Sequence, residues 1–134
     1  MNSRFLDYRQ QVLDPVSKSF CAAKWLNATV WLDKGATTSC HHPPYHHVPL
    51  SQVLKDPSAL HNTERKKEAR RQMLSGERPK ECDYCWKIED AAPDAVSDRV
   101  FKSIIHAPGD LERISKPEAV ENAVPRTLEI SFGR

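Results

Sequence analysis

The sequence predicts a small α+β domain stapled by a metal: a β-hairpin, then short helices, then a terminal strand. Three observations carry this. Residues 26–32 alternate apolar and polar side chains and run into a turn at Asp33-Lys34-Gly35. Residues 64–74 sit between a capping residue and a glycine, the punctuation of a helix. Four cysteines fall as a spread pair, Cys21 and Cys40, and a close pair, Cys82 and Cys85.

Length and composition set the frame. A chain of 134 residues fits one small domain. Its mean hydropathy of −0.64 is polar, so the apolar core is modest and a metal would help to hold it. Ten prolines against four glycines predict many irregular segments. A net charge of +2 is too small to argue for nucleic acid. No apolar run approaches the length of a membrane span, and the N-terminus lacks a signal peptide's apolar centre. The expected location is therefore the cytoplasm. Thiols stay reduced there, and C-x2-C points to metal or redox work.

In order along the chain, Phe5, Tyr8 and Val12 recur at helical spacing and predict a helix over residues 3–14, stopped by Pro15. In the strand over 26–32, Leu26, Ala28, Val30 and Leu32 share one face, and Asn27, Thr29 and Trp31 the other. Gly35 is free to take positive φ in the turn, and residues 36–39 return toward Cys40. A hairpin brings its ends together, so Cys21 and Cys40 are expected side by side. Pro43-Pro44 enforces an irregular path through His41, His42, His46 and His47. A helical turn is expected over 50–56.

Asn62 or Thr63 caps a helix running to Leu74, with Gly76 ending it. Its five cations, Arg65, Lys66, Lys67, Arg70 and Arg71, read as a solvated face rather than a nucleic-acid contact, because no aromatic residues interleave with them. A further helix is expected from Cys82 over 83–91. Ser97 or Asp98 then caps a segment whose Val100, Phe101, Ile104 and Ile105 read as core. Pro108, Pro117 and Pro125 break the stretch 108–125. Residues 127–132 alternate as a strand with Leu128, Ile130 and Phe132 on one side. Such a strand either pairs with the hairpin or opens an absent α/β core.

The chemistry lies in the thiols. Cys21, Cys40, Cys82 and Cys85 form C-x13-G-x4-C, then 41 residues, then C-x2-C. Four thiolates suit a tetrahedral zinc or a cubane iron–sulfur cluster. The wide first pair favours the cluster, which is larger than one ion. Zinc, as the staple of a protein- or RNA-binding module, is the alternative. A redox dithiol at Cys82 and Cys85 ranks below both, since no βαβ pattern surrounds it. The histidines His41, His42, His46 and His47 are candidate ligands, or partners of the cluster sulfurs by hydrogen bonding. Trp25, Trp31 and Trp86 are expected to shield the metal and fill the core.

This pattern resembles the auxiliary-cluster domains of radical SAM enzymes, the SPASM and twitch domains. Cys21, Gly35 and Cys40 fit their opening motif. Phe20-Cys21-Ala22-Ala23-Lys24-Trp25 and the run from Ala69 to Trp86 resemble the flanking words. The resemblance spans about residues 19–90. Cysteines for a second auxiliary cluster are missing, so the single-cluster twitch type is the nearer match. The resemblance implies a 4Fe-4S cluster on the four cysteines, with Trp25, Gly35 and Trp86 around it. It implies an N-terminal helix over 1–18, a twitch-like domain over 19–107, a linker over 108–126, and a first core strand over 127–134. The catalytic C-x3-C-x2-C, which binds S-adenosylmethionine, is absent from this sequence. In some relatives, including phage-type proteins, a twitch-like segment precedes that core. The chain is therefore expected to be a truncated fragment, an accessory piece that is not catalytic alone. Its radical SAM core would be supplied in cis or in trans, and the substrate would be a peptide or protein. No membrane or nucleic-acid partner is expected.

Overall fold

The computed structural model describes residues 3–132. The chain opens with α1 (Ser3–Tyr8), which continues as one π-helical turn over Arg9–Leu13 and ends just before Pro15. Leu13 is fully buried, and Phe5, Tyr8 and Val12 pack against the core as their spacing predicted. A four-residue helix that the sequence pattern did not announce, α2 (Ala23–Leu26), separates Cys21 from the hairpin. The first strand, β1 (Asn27–Trp31), therefore starts after Leu26 rather than at it. The turn holds Gly35 at φ +59°, and β2 (Ala36–Thr38) returns.

Chain continues through β3 (His46–His47), α3 (Leu50–Lys55), α4 (Glu64–Leu74), α5 (Asp83–Ala91) and α6 (Asp98–Ile104). Thr63 caps α4, its side-chain oxygen accepting from the Lys66 N–H at 3.1 Å. Positive φ at Gly76 follows its end. The region 108–125 is not simply broken by its prolines. Pro108 begins α7 (Pro108–Ile114), and Pro117 precedes α8 (Glu118–Glu121), because proline's fixed φ suits a first helical turn. Leu111, Ile114, Val120 and Ala123 are buried there.

The last strand is β4 (Thr127–Ser131). Among the described residues the strands form one mixed sheet in the order β3-β2-β1-β4. The hairpin is antiparallel, whereas β4 lies parallel to β1, in register from Asn27↔Thr127 to Trp31↔Ser131. The terminal strand thus joins the hairpin. Its far edge is unpaired among the described residues, and Leu128, Ile130 and Phe132 are exposed there. Strand β1 is covered on both faces: Asn27 and Thr29 are as buried as Ala28 and Val30, while Leu32 lies outside. The polar face is tolerated because Asn27 reaches the Ser39 carbonyl, and both Asn27 and Thr29 donate to Glu129 on β4.

Two apolar expectations fail, one on α6 and one at its C-cap. Val100 is buried, but Phe101 and Ile105 face outward, and Phe101 meets the ring of Phe5 edge-on at 4.8 Å. The inward face belongs instead to Arg99, Val100 and Ser103. The solvated face expected for α4 is also only half right, since Lys66 and Arg70 are buried. Arg70 donates to the carbonyls of Lys24, Val120 and His61 and to Asn62 Oδ1 at 2.7–2.8 Å. Lys66 Nζ donates to Thr37 Oγ1 and the Leu60 carbonyl. A guanidinium can enter a core when most of its N–H groups find acceptors. No helix among the described residues is long and apolar enough to cross a membrane.

Candidate metal centre

Cys21 lies in the loop before α2, where its carbonyl accepts from the Lys24 N–H. Cys40 follows β2, and the turn of the hairpin brings it back toward that loop. Cys82 takes the N-cap position of α5 and Cys85 its first turn. A helix start concentrates partial positive charge, which favours thiolates. Trp86 locks this corner: its indole N–H donates to the Pro79 carbonyl at 2.8 Å, and Arg78 stacks over its ring at 5.0 Å.

All four cysteines line one small cavity, partly open to solvent, together with Lys24, His42, Trp86 and Asp98. None is in a disulfide, and Cys40 is the most exposed of them. Burial pushes the Cys21 thiol up to about 12, with the other thiols adding to the shift. Cys82 rises to about 11, also by burial first, and Cys40 and Cys85 shift the same way. Such thiols hold their protons until a cation arrives and displaces them.

Spacing bears on which metal fits. Around one zinc ion, four sulfurs at about 2.3 Å stand roughly 3.8 Å apart. Among the described residues, no three of the cysteine sulfurs lie within 4.8 Å of one another. A cubane binds each thiolate to a different iron, so its ligands stand wider apart than those of a single ion.

Lys24 is a site residue that the motif did not reveal. It is 2% exposed, pairs with Glu81, and lines the cavity. Burial opposes its charge, but Cys82 and Glu81 outweigh that and raise its pKa. Glu81 is held in turn by Arg65 at 3.2 Å. A second buried cation, Arg99, bridges Glu89, Asp14 and the Phe20 carbonyl beside Cys21. Ser103 Oγ accepts from the Ala22 N–H at 3.0 Å. These bonds fasten α6 to the Cys21 loop. A Lys or Arg among apolar residues was the available sequence signal, but it did not identify an acceptor.

The histidines divide. His42 lines the cavity, bonded to Asp98 at 2.7 Å and stacked on Tyr84 at 3.9 Å. His41 lies beside it, ring centroids 4.1 Å apart. His46 instead meets Thr63 Oγ1 at 2.8 Å, and His47 takes the Lys34 carbonyl at 2.9 Å; neither lines the cavity. Trp25 is buried against Phe20 without lining it, and Trp31 packs on Tyr45. Gly35 serves the hairpin turn. Of the expected packing residues, only Trp86 touches the cavity.

Comparison with protein-family models, with curated proteins and with solved structures finds no match.

Proposed function

We propose that Cys21, Cys40, Cys82 and Cys85 hold one 4Fe-4S cluster, and that the chain is an accessory, twitch-like domain of a radical SAM protein. The observation that carries the reading is the cavity: thiols from three separated segments line one space, and among the described residues no three of their sulfurs lie within 4.8 Å of one another. Buried Lys24 beside Cys82 supports it, because a cation offsets the negative charge of a thiolate-ligated cluster. The C-x3-C-x2-C core and its S-adenosylmethionine would come in cis or in trans, with a peptide or protein as substrate. The reducing cytoplasm is the location that suits free thiols.

The zinc-stapled RNA-binding alternative has less support. Arg70, one of the cations it relies on, is spent inside the fold. Arg65, Lys67 and Arg71 are ion-paired to Glu81, Glu64, Glu68 and Glu121.

Anaerobic reconstitution tests the reading. The expected result is about four irons and four sulfides per chain, with a brown absorption lost or weakened in Cys→Ser variants of each ligand. Stoichiometric zinc with no iron uptake would overturn the cluster. A loaded cluster with no effect on any radical SAM core would overturn the accessory role alone.

A further inference from the structure

A second group of ligands stands at the mouth of the cysteine cavity, sharing its wall through His42 and Asp98. His41, His42 and Asp98 each offer one ligand atom, and the three atoms lie within 4.8 Å of one another. The two histidines come from the irregular loop after β2, and Asp98 is the first residue of α6. Fifty-six positions separate His42 from Asp98 in the chain, so the tertiary fold creates the cluster.

Its members are held. His42 Nε2 bonds Asp98 Oδ2 at 2.7 Å, and Tyr84 stacks on the His42 ring with planes 12° apart. The loop is braced at Pro43, which is buried next to His42. Asp98 lies between Ser97 and Arg99, both anchored on Glu89. Such partners around an imidazole and a carboxylate fix their direction, as supports of metal ligands do. His41 is exposed at the rim, which gives an ion a way in from solvent.

We propose that His41, His42 and Asp98 form a second metal site, adjoining the four cysteines but using none of them, for a zinc-like divalent cation. Imidazole and carboxylate together suit first-row transition ions. Three protein ligands leave the fourth position of a tetrahedral ion to water or to a substrate atom. Nitrogen and oxygen ligands at about 2.0–2.1 Å from zinc stand roughly 3.3 Å apart. The His42–Asp98 pair therefore has to open by only about half an ångström to admit the ion. His41, next to His42 in the chain and in ring contact with it at 4.1 Å, adds a third ligand atom to the His42–Asp98 pair. The site stands whichever metal the cysteines hold.

The test uses the full chain with its cysteine site already loaded. Zinc is titrated by calorimetry, and cobalt by visible absorption. The expected result is one further equivalent of either ion. Its cobalt spectrum should show weak visible bands without the near-ultraviolet charge transfer of thiolate ligation. His42→Ala and Asp98→Asn should abolish that equivalent. His41→Ala, at an exposed position that leaves the fold intact, should weaken it at least tenfold, and His47→Ala should leave it unchanged. No further equivalent at millimolar zinc overturns the proposal. So does an affinity unchanged by His41→Ala, or a cobalt spectrum with thiolate charge transfer.

Discussion

Replacing Arg70 with Met should remove a large share of the molecule's margin of stability. The guanidinium is fully buried and donates to three backbone carbonyls and one amide oxygen. Met keeps much of the volume and removes the cost of burying a charge, which by itself is favourable. The acceptors do not leave with the side chain, however. The carbonyls of Lys24, His61 and Val120 belong to the backbone and stay buried. Each unsatisfied group costs about 1–3 kcal/mol. Three of them, less what desolvation returns, leave a net loss on the order of 4 kcal/mol, against a total of about 5–15 kcal/mol for a domain. Arg70→Lys should recover little, since an ammonium cannot span four acceptors arranged for a planar fork. The neighbouring Arg71→Gln should fall within about 0.5 kcal/mol, because its ion pairs are exposed. Urea unfolding followed by circular dichroism, with every variant in the same metal state, measures this. An Arg70→Met midpoint equivalent to a loss under about 1 kcal/mol would refute the reasoning.

Three further outcomes follow from particular residues. His61 is buried, donates its Nε2 proton to the Trp25 carbonyl, and faces the cations Arg70 and Lys66. Burial, with those charges, lowers its pKa to about 3. Unfolded chains therefore bind a proton there that folded ones refuse, and stability present above about pH 6.5 is lost as pH falls toward 3, on the order of 1 kcal/mol per unit. Urea midpoints at pH 7 and pH 5 should show that drop, and a flat profile would contradict it. Gly35→Ala should cost about 1 kcal/mol, since nothing crowds a Cβ there and only the left-handed φ of +59° opposes it; Gly35→Asn should cost less, and thermal melts rank the two. Ser103→Ala should loosen the Cys21 loop by removing the acceptor for the Ala22 N–H, seen as faster amide exchange at Ala22.

What the sequence disclosed was local. Thr63 and Gly76 bound α4 because capping and positive φ act within a few residues. The alternation through Ala28 and Val30, with the turn at Gly35, gave the hairpin for the same reason. The cysteine spacing gathered the residues that the fold brings to one cavity. Misreadings began where a distant partner decides. Arg70, Lys66 and Arg99 look like surface cations until the carbonyls and carboxylates that receive them arrive from elsewhere in the chain. Phe101 and Ile105 have the chemistry of core residues, but α6 turns Arg99 and Ser103 inward to hold the Cys21 loop. Asp98 offered no signal as a ligand, because its nearness to His42 exists only in three dimensions. Short α2 was hidden in an apolar run that helix and strand share.

The parallel pairing of β4 with β1 has a consequence in time. Its partners stand 100 positions apart, as in Asn27↔Thr127, and β1 is walled on its other side only by the short hairpin. A ribosome adding about 5–20 residues per second needs roughly 5–20 s to make the intervening chain. Throughout that interval β1 has an open flank, while Glu129, the acceptor for Asn27 and Thr29, has yet to be made. The nascent hairpin must therefore wait, partly unsealed, and ordering this sheet is a late event set by synthesis rather than by local propensity.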